Sequence, residues 1–470
     1  MTEFEEFNGI DSLRGKRIHF IGIGGAGMSG IARIMLSHGL QVSGSDVKES
    51  SVTENLRTMG AQIFVGHRAE NIANVDLIVL STAIAPENPE RIAGEKAAIP
   101  LIARANALAI LMSGKRSVAV AGTHGKTTTT SMLTVALQSA GCDPSFSIGG
   151  MINSSGTNAY AGSGDIFVAE ADESDGSFLA YKPFGAIITN IELDHVDHFQ
   201  DLDAIYALFV EFINSIQAGG FLVACGGDAG VQEVLSRITR TDIQIVTYGV
   251  GECDWSIDRI LLSPTSSVAR VAHHGKIMGE LELVVPGEHN LLNALAALGA
   301  GHLMGIQSAQ MTKGIGSFTG TRRRFEFKGE VHGIRVVDDY GHHPTEIRVT
   351  LETARNYVGE GRVIVLFQPH RYSRTQAFAQ EFADALSLAD ELFLLEVYPA
   401  SELPIPGVSS LLISQKMSPA HVHYQPSMVE AIESVTKEAK SGDLIITLGA
   451  GDVSSLAPVI LSSLDSLADK

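Results

Sequence analysis

The sequence predicts an α/β chain of three domains with mainly parallel sheets. Three observations predict it. Short β-branched apolar runs alternate with amphipathic helical stretches: RIHFIGI, LIVLST, SVAVAG, IFVAE, GAIITN, FLVAC, RVIVLF, LFLLE and LIITLG. Runs of this kind suit parallel strands covered by helices on both faces. Glycine is abundant, at 48 of 470 residues, and many glycines stand in tight strand-to-helix turns, as nucleotide-binding α/β domains require. Finally, a strand–glycine turn–helix unit starts at Arg17 and again at Ser117, and a third block of strand and helix signals follows Gly320. Domains are therefore expected at 1–106, 107–320 and 321–470, with residues 104–115 and 314–324 as connectors.

Composition narrows the functions. With 45% hydrophobic and 19% charged residues, each domain can bury a core, and disorder is excluded. A formal net charge of −19 repels a phosphate backbone, which argues against nucleic acid. Single nucleotides remain possible, because local amides and a few cations suffice for them. Cys142, Cys225 and Cys253 fit neither a metal site nor a disulfide framework, and a reducing cytoplasm is expected. The acidic start MTEFEEFNGIDSLRGK does not read as a signal peptide. No run approaches the ~18 apolar residues of a membrane span, so no membrane partner is expected. A monomer or a homodimer is expected.

The first unit, IHFIGIGGAGMSGIARIMLSHG, reads as strand, glycine turn and helix ending at Gly39. Gly22, Gly24 and Gly27 match G-x-G-x-x-G. Glycine there lets the backbone turn sharply and approach a pyrophosphate, which the helix N-terminus then faces. Asp46 ends the next strand, about 20 residues on, where a Rossmann unit places its ribose-binding acid. Ser45 precedes it. Ser81 and Thr82 follow LIVL as hydroxyl donors or ordinary strand-end caps. An NAD-dependent dehydrogenase is the obvious reading, yet any nucleotide diphosphate satisfies the same physics.

The second unit carries GTHGKT between the strand SVAVA and a helix expected from Lys126 to Ala140. Its amides can cradle phosphate, Lys126 can neutralise terminal phosphates, and Thr127 can ligate Mg²⁺. The strict P-loop pattern needs glycine at position 120, which is Val120; Gly122 comes two positions later. The loop is thus a shortened P-loop type, and ATP is the expected ligand. IFVAE then ends at Glu170, at the carboxyl end of a strand beside the phosphate loop, where an Mg²⁺ ligand is expected. Asp172, Glu173 and Asp175 follow as further acids. Asp194, His195, Asp197 and His198 stand past the strand GAIITN. His195 is an unusual Mg²⁺ ligand, since that ion prefers oxygen, and a positioning hydrogen bond is the alternative.

GTHGKTTT, EADESDGSF, NIELDHVDHF, GEHNLLNALAA, GTRRRFEF, DDYGHHPTEI and FQPHRYSRT occur in that order. On these motifs, which span residues 18 to about 375, the chain resembles the Mur ligases, and LIITLGAGD also fits. The resemblance implies a Rossmann-like first domain that binds a UDP-sugar, a central ATPase domain, and a Rossmann-like last domain that binds the amino acid. It implies that Gly22, Gly24, Gly25, Ala26, Gly27, Ser45, Asp46, Ser81 and Thr82 serve the UDP substrate. Gly122, Thr123, His124, Gly125, Lys126, Thr127, Thr128, Asn290, Asn293, Arg324 and Asp339 would meet ATP. Thr127, Glu170 and His195 would hold magnesium, and Tyr340, His342, Arg371 and Arg374 would line an alanine site. Lys126, Glu170, His195 and Arg324 are the expected catalytic set. The implied reaction joins L-alanine to UDP-N-acetylmuramate through an acyl phosphate. A peptide-adding member of recycling type is the alternative. The family's carbamylated lysine finds no candidate in FQDLDAIYALFVEFINS. His195, His198 and His342 are candidate bases for the amine by residue type alone.

Overall fold

The computed structural model describes residues 7, 9–81, 83–196, 198–199 and 201–467. Among these, the strands form three sheets, of five, ten and six strands. The first runs Gln62–Val65, Gln41–Asp46, Arg17–Ile21, Leu77–Leu80, Leu101–Ala103 in space, every pair parallel. Chain order reverses beside Arg17–Ile21, so a crevice opens at the carboxyl ends of the central strands. The glycine turn lies there and feeds the helix Ala26–Ser37. Ile18, Phe20 and Ile21 are fully buried, as strands covered on both faces must be.

The second sheet has a parallel centre: Gln244–Val250, Phe221–Cys225, Gly185–Ile188, Arg116–Ala121, Ile166–Glu170 and Ser145–Ser147, in that spatial order. Helices Lys126–Ser139 and Glu288–Leu303 cover one face together, with Leu133, Leu137, Leu291 and Leu295 fully buried. Beyond Trp255–Leu262 the sheet continues through Ser267–His273 and Lys276–Leu283, paired antiparallel. The third sheet runs Glu326–Val331, Ile334–Asp339, Leu444–Leu448, Val363–Phe367, Glu391–Leu394, Val422–Tyr424, parallel except for its first pair. The three-domain α/β architecture is as the sequence predicts.

One expectation changes. Residues 104–115 are not a plain connector: Arg104–Met112 is a helix in which Ala105, Ala107, Leu108, Ile110, Leu111 and Met112 are buried. Alanine and leucine favour the helix, and burial on nearly every side makes it a shared wall between the first two domains.

Candidate active site

The phosphate loop is shaped by two glycines that tolerate no side chain. Gly122 has φ +128°, and a Cβ there would lie 2.1 Å from Thr189 Oγ1 and 2.9 Å from the Asn190 carbonyl. Gly125, at φ +80°, starts the helix Lys126–Ser139, and its Cβ would meet Asn293 Oδ1 at 2.7 Å. Both positions therefore need glycine for conformation and for space. The Asn190 side chain accepts from His124 N at 2.8 Å and its carbonyl from Thr123 N at 2.9 Å. The following amides open toward the helix N-terminus, where an anion is stabilised.

Lys126 Nζ donates to Gly122 O at 2.6 Å, Thr123 O at 3.0 Å and Glu173 Oε1 at 3.1 Å. Burial alone would lower its pKa, but the charges of Glu173 and Asp172 outweigh it and raise the value, so the ammonium persists. Burial pushes the Glu173 carboxyl up to about 7, with Lys126 pulling the other way. Asp172, Glu173 and His195 each bring a ligand atom within 4.8 Å of the others. Glu170, the first choice from sequence, stands beside this group: it accepts from Thr127 Oγ1 at 2.8 Å and from Gly149 N at 2.6 Å. Burial lowers the pKa of His195 and so favours the neutral ring a metal needs. The carboxylates and the Thr127 hydroxyl match the hard oxygen-donor chemistry of a magnesium site, with the His195 imidazole the one softer donor beside them.

A cavity of about 620 Å³ opens between the middle and third domains. His124, Thr128, Asn290 and Asn293 line it from one side, Arg324 and Asp339 from the other. The structure thus gathers nucleotide candidates from four separate motifs into one space. Asn293 Oδ1 accepts from Thr129 Oγ1 at 3.1 Å, and Asn290 Nδ2 donates to Pro286 O at 2.7 Å. The Arg324 guanidinium lies 3.4 Å from Glu346 Oε1 and 5.2 Å from the Tyr340 ring centroid. Asp339 organises its turn as well as facing the cavity: it accepts from Gly341 N, Phe325 N and Thr350 Oγ1 at 2.8, 2.7 and 3.1 Å.

Sequence spacing gave no sign of the seam around His124. Its Nδ1 is 3.4 Å from Glu346 Oε1 and its Nε2 is 3.6 Å from Glu192 Oε2. Burial disfavours the imidazolium, yet these two carboxylates prevail and raise its pKa to about 9. Its ring centroid is 4.7 Å from that of His343, which burial and the nearby His124 charge lower to about 4. Thr345 Oγ1 donates to Glu192 Oε2 at 2.7 Å across the same seam.

Among the expected alanine-site residues, Tyr340 and His342 lie together, with ring centroids 5.2 Å apart. Arg371 begins the helix Tyr372–Ala377 at φ +72°, its Nη1 3.7 Å from Glu402 Oε1. Arg374 is turned to Asp194 of the middle domain and is only 3% exposed. Burial would raise the Asp194 pKa, but the Arg374 charge overrides it and holds the carboxyl well below its usual range. His198 is exposed on the surface.

In the first domain, Gly22 takes φ +81°, and Gly24 N donates to Asp46 Oδ2 at 2.9 Å. Gly25 caps the helix that Ala26 begins, and Gly27 follows in its first turn. The Arg104 side chain covers Gly27, lying 3.0 Å from where a Cβ would stand. Ser45 faces inward: its hydroxyl donates to Glu90 at 2.5 Å and lies 2.9 Å from His67 Nδ1. Ser81 Oγ accepts from Ala83 N at 3.3 Å in the turn after its strand. Thr82 and Asp197 lie outside the described residues.

Two linked glycine-loop domains and a third that closes on the second define a nucleotide-dependent ligase architecture, and the chain belongs to the Mur ligase family. Residues 17–116 match the family's catalytic domain, 120–301 its middle domain and 323–451 its glutamate ligase domain. The chain is 48% identical over 459 residues to a UDP-N-acetylmuramate–L-alanine ligase of Saccharopolyspora erythraea, covering 96% of this chain and 94% of that one. The Lawsonia intracellularis protein of the same name is 45% identical, with 95% and 99% covered. Among solved structures, a UDP-N-acetylmuramate–alanine ligase from Thermotoga maritima superposes with a TM-score of 0.81 at 30% identity, over 97% of this chain and 100% of that one. A murein peptide ligase from Psychrobacter arcticus gives 0.71 at 25% identity, over 96% and 99%.

Proposed function

We propose that this chain joins the lactyl carboxylate of UDP-N-acetylmuramate to the amine of L-alanine, converting ATP to ADP and phosphate in peptidoglycan precursor synthesis. The observation that carries the reading is the shared cavity, where the GTHGKT loop meets Arg324 of the third domain. The name and near-complete coverage of its 48%-identical relative support the choice of substrates. Residues 1–106 take the UDP-sugar, 107–320 bind ATP, and 321–470 bind the amino acid. A cytoplasmic location and a monomeric or homodimeric state belong to the same reading.

The sugar carboxylate attacks the γ-phosphate of ATP, and the bridging oxygen to ADP leaves. Lys126 and Arg324 compensate charge on the transferred group, where preorganised cations contribute most. The alanine amine then attacks the acyl phosphate and displaces phosphate. Asp172, Glu173 and His195, with Thr127 and Glu170 beside them, would hold magnesium, which when bound adds positive charge at the phosphoryl group. Tyr340, His342, Arg371 and Arg374 form the amino-acid side of the site. The docked third domain excludes water from the acyl phosphate.

Phosphate release with ATP, UDP-N-acetylmuramate and each amino acid in turn tests this. L-alanine should give the fastest turnover, and Lys126→Ala should lower it at least 10³-fold, on the order of one charge-stabilising group at a transferring phosphate. Stimulation by a preformed peptide and not by alanine would move the chain to the recycling type. Near-normal turnover in Lys126→Ala would remove the phosphate-loop assignment.

A further inference from the structure

The seam around His124 gathers two imidazoles and a carboxylate that no step of the reaction above uses. His124, Glu192 and His343 each bring a ligand atom within 4.8 Å of the other two. The group shares no residue with the Asp172–Glu173–His195 cluster. Its donors differ as well: two ring nitrogens and one carboxylate oxygen, where the other cluster offers two carboxylates and one ring. A nitrogen-rich set of this kind suits a borderline transition ion such as Zn²⁺ better than Mg²⁺.

The surrounding hydrogen bonds point one lone pair of each ring at such an ion. His124 Nδ1 is 3.4 Å from Glu346 Oε1. A carboxylate there holds a proton on Nδ1 and leaves Nε2 to the metal, the arrangement that supports metal-bound histidines in general. His124 Nε2 is buried and has no hydrogen-bond partner among the described residues, although Glu192 Oε2 lies 3.6 Å away. That gap is too long for a hydrogen bond. It is close to the ~3.4 Å that separates a nitrogen from an oxygen ligand at a tetrahedral zinc. His343 repeats the pattern, with Nε2 3.3 Å from Leu193 O and Nδ1 3.3 Å from Thr345 N. These partners put the proton on Nε2, donated to the carbonyl, so Nδ1 is the ligand atom, and an ion displaces only the long contact from Thr345 N. The Nδ1 edge faces Thr345, whose hydroxyl donates to Glu192 Oε2 at 2.7 Å and orients that carboxylate in turn.

We propose that His124 Nε2, Glu192 Oε2 and His343 Nδ1 form a three-ligand site for a divalent transition ion of the Zn²⁺ class, its fourth position open to the nucleotide cavity that His124 and Glu192 line. Binding displaces the proton that His124 otherwise carries on Nε2, which passes to solvent. His124 and Glu192 belong to the middle domain, and His343 caps the helix Pro344–Val358 of the third. One ion therefore ties the two domains together across their polar seam. Turnover needs such a seam to open for nucleotide exchange, so the ion acts as a clamp and slows the enzyme while it stays bound.

The test uses the full chain in excess Mg²⁺, which occupies the oxygen-rich cluster. Zn²⁺ affinity is read by competition with a chromophoric chelator, without substrates, so the result stands apart from the ligase reading. The variants are His343→Asn, which keeps a good helix cap, Glu192→Gln, and Glu173→Gln in the other cluster. The wild-type chain should bind one Zn²⁺. His343→Asn and Glu192→Gln should each weaken it more than about 100-fold, beyond the ~10–100-fold lost with a residue that merely supports a ligand. Glu173→Gln should leave it within about threefold. Co²⁺ in place of Zn²⁺ should give the visible bands of a tetrahedral ion in the wild type and lose them in His343→Asn. Saturating Zn²⁺ should raise the urea midpoint of the wild type and not that of His343→Asn, because an ion that binds only the folded chain stabilises it. Zn²⁺ should also slow phosphate release, with the half-inhibitory concentration more than about tenfold higher in His343→Asn. If His343→Asn does not fold, Glu192→Gln carries the same comparisons. A wild-type chain that binds no Zn²⁺, or affinity that is unchanged in the folded seam variants or falls only in Glu173→Gln, overturns the site. Zn²⁺ bound at the seam with turnover unchanged overturns the clamp.

Discussion

His124 stands between two carboxylates that belong to different domains, Glu192 and Glu346. Its pKa rises from the ordinary 6.5 to about 9 in the folded chain. A base whose folded pKa exceeds its unfolded value stabilises the fold fully below the unfolded pKa, and the gain fades as pH rises through the folded one. The seam is therefore firmest below pH 6.5 and loosens toward pH 9. The contribution is on the order of 1–3 kcal/mol, the net of a favourable charge pairing and a desolvation cost. Urea unfolding of the nucleotide-free protein at pH 6 and pH 9 should show this loss, and His124→Gln should flatten it. An equal pH slope in the variant would assign the effect to other groups. At the same scale, Lys126 and Thr127 were legible because a phosphate loop needs local sequence order. Glu192, Glu346 and His343 were not, since only docking brings them to His124.

The helix Arg104–Met112 shows how an element differs from its sequence signal. Read as a connector, it is short and has few polar residues to mark a face. In the fold it lies between the first two domains, and Leu108 is 1% exposed. Leu108→Ala should cost about 2–5 kcal/mol, the transfer term plus the cavity left in a packed wall. Chemical denaturation reads this directly, and a change below 1 kcal/mol would mean that the wall closes over the gap. The parallel strands and the two glycine-turn helices were legible, because uniformly apolar runs and glycine punctuation are local features. The antiparallel strands Ser267–His273 and Lys276–Leu283 were missed. They alternate polar and apolar residues, and Lys276–Leu283 is the edge strand of its sheet, so they lack the continuous hydrophobic run of the central strands.

Across the whole molecule, apolar packing is unevenly divided. One continuous buried cluster joins the first domain to one face of the middle domain, from Ile18 and Leu108 through Phe178 to Val234. The third domain has clusters of its own on the two faces of its sheet, around Val365 and around Ile364. Its contacts with the middle domain described above are polar. Residues 321–470 expressed alone should therefore fold cooperatively, whereas residues 1–106 should not, because the fragment cuts away most of the helix Arg104–Met112 that packs against its core. Circular dichroism melts of the two fragments check this. A cooperative transition from 1–106 would show that its core is self-sufficient. The same division suits function, since a polar seam can open and close without exposing a core.

The sequence by itself determined the α/β class, the three-domain layout, both glycine loops and their helices, and the Lys-Thr pair at the phosphate end. All follow from short-range rules: strand burial, left-handed glycine turns and helix N-termini. Tertiary structure alone decided which acids gather. It set Glu173 and Asp172 with His195 and left Glu170 on Thr127. It turned Ser45 inward to Glu90 and Arg374 onto Asp194. It placed His124 under opposing carboxylates of two domains. These outcomes depend on packing between segments distant in the sequence, from Ser45 and Glu90, 45 residues apart, to Asp194 and Arg374, 180 apart, where the balance of desolvation against ion pairing is set by geometry that no local pattern encodes.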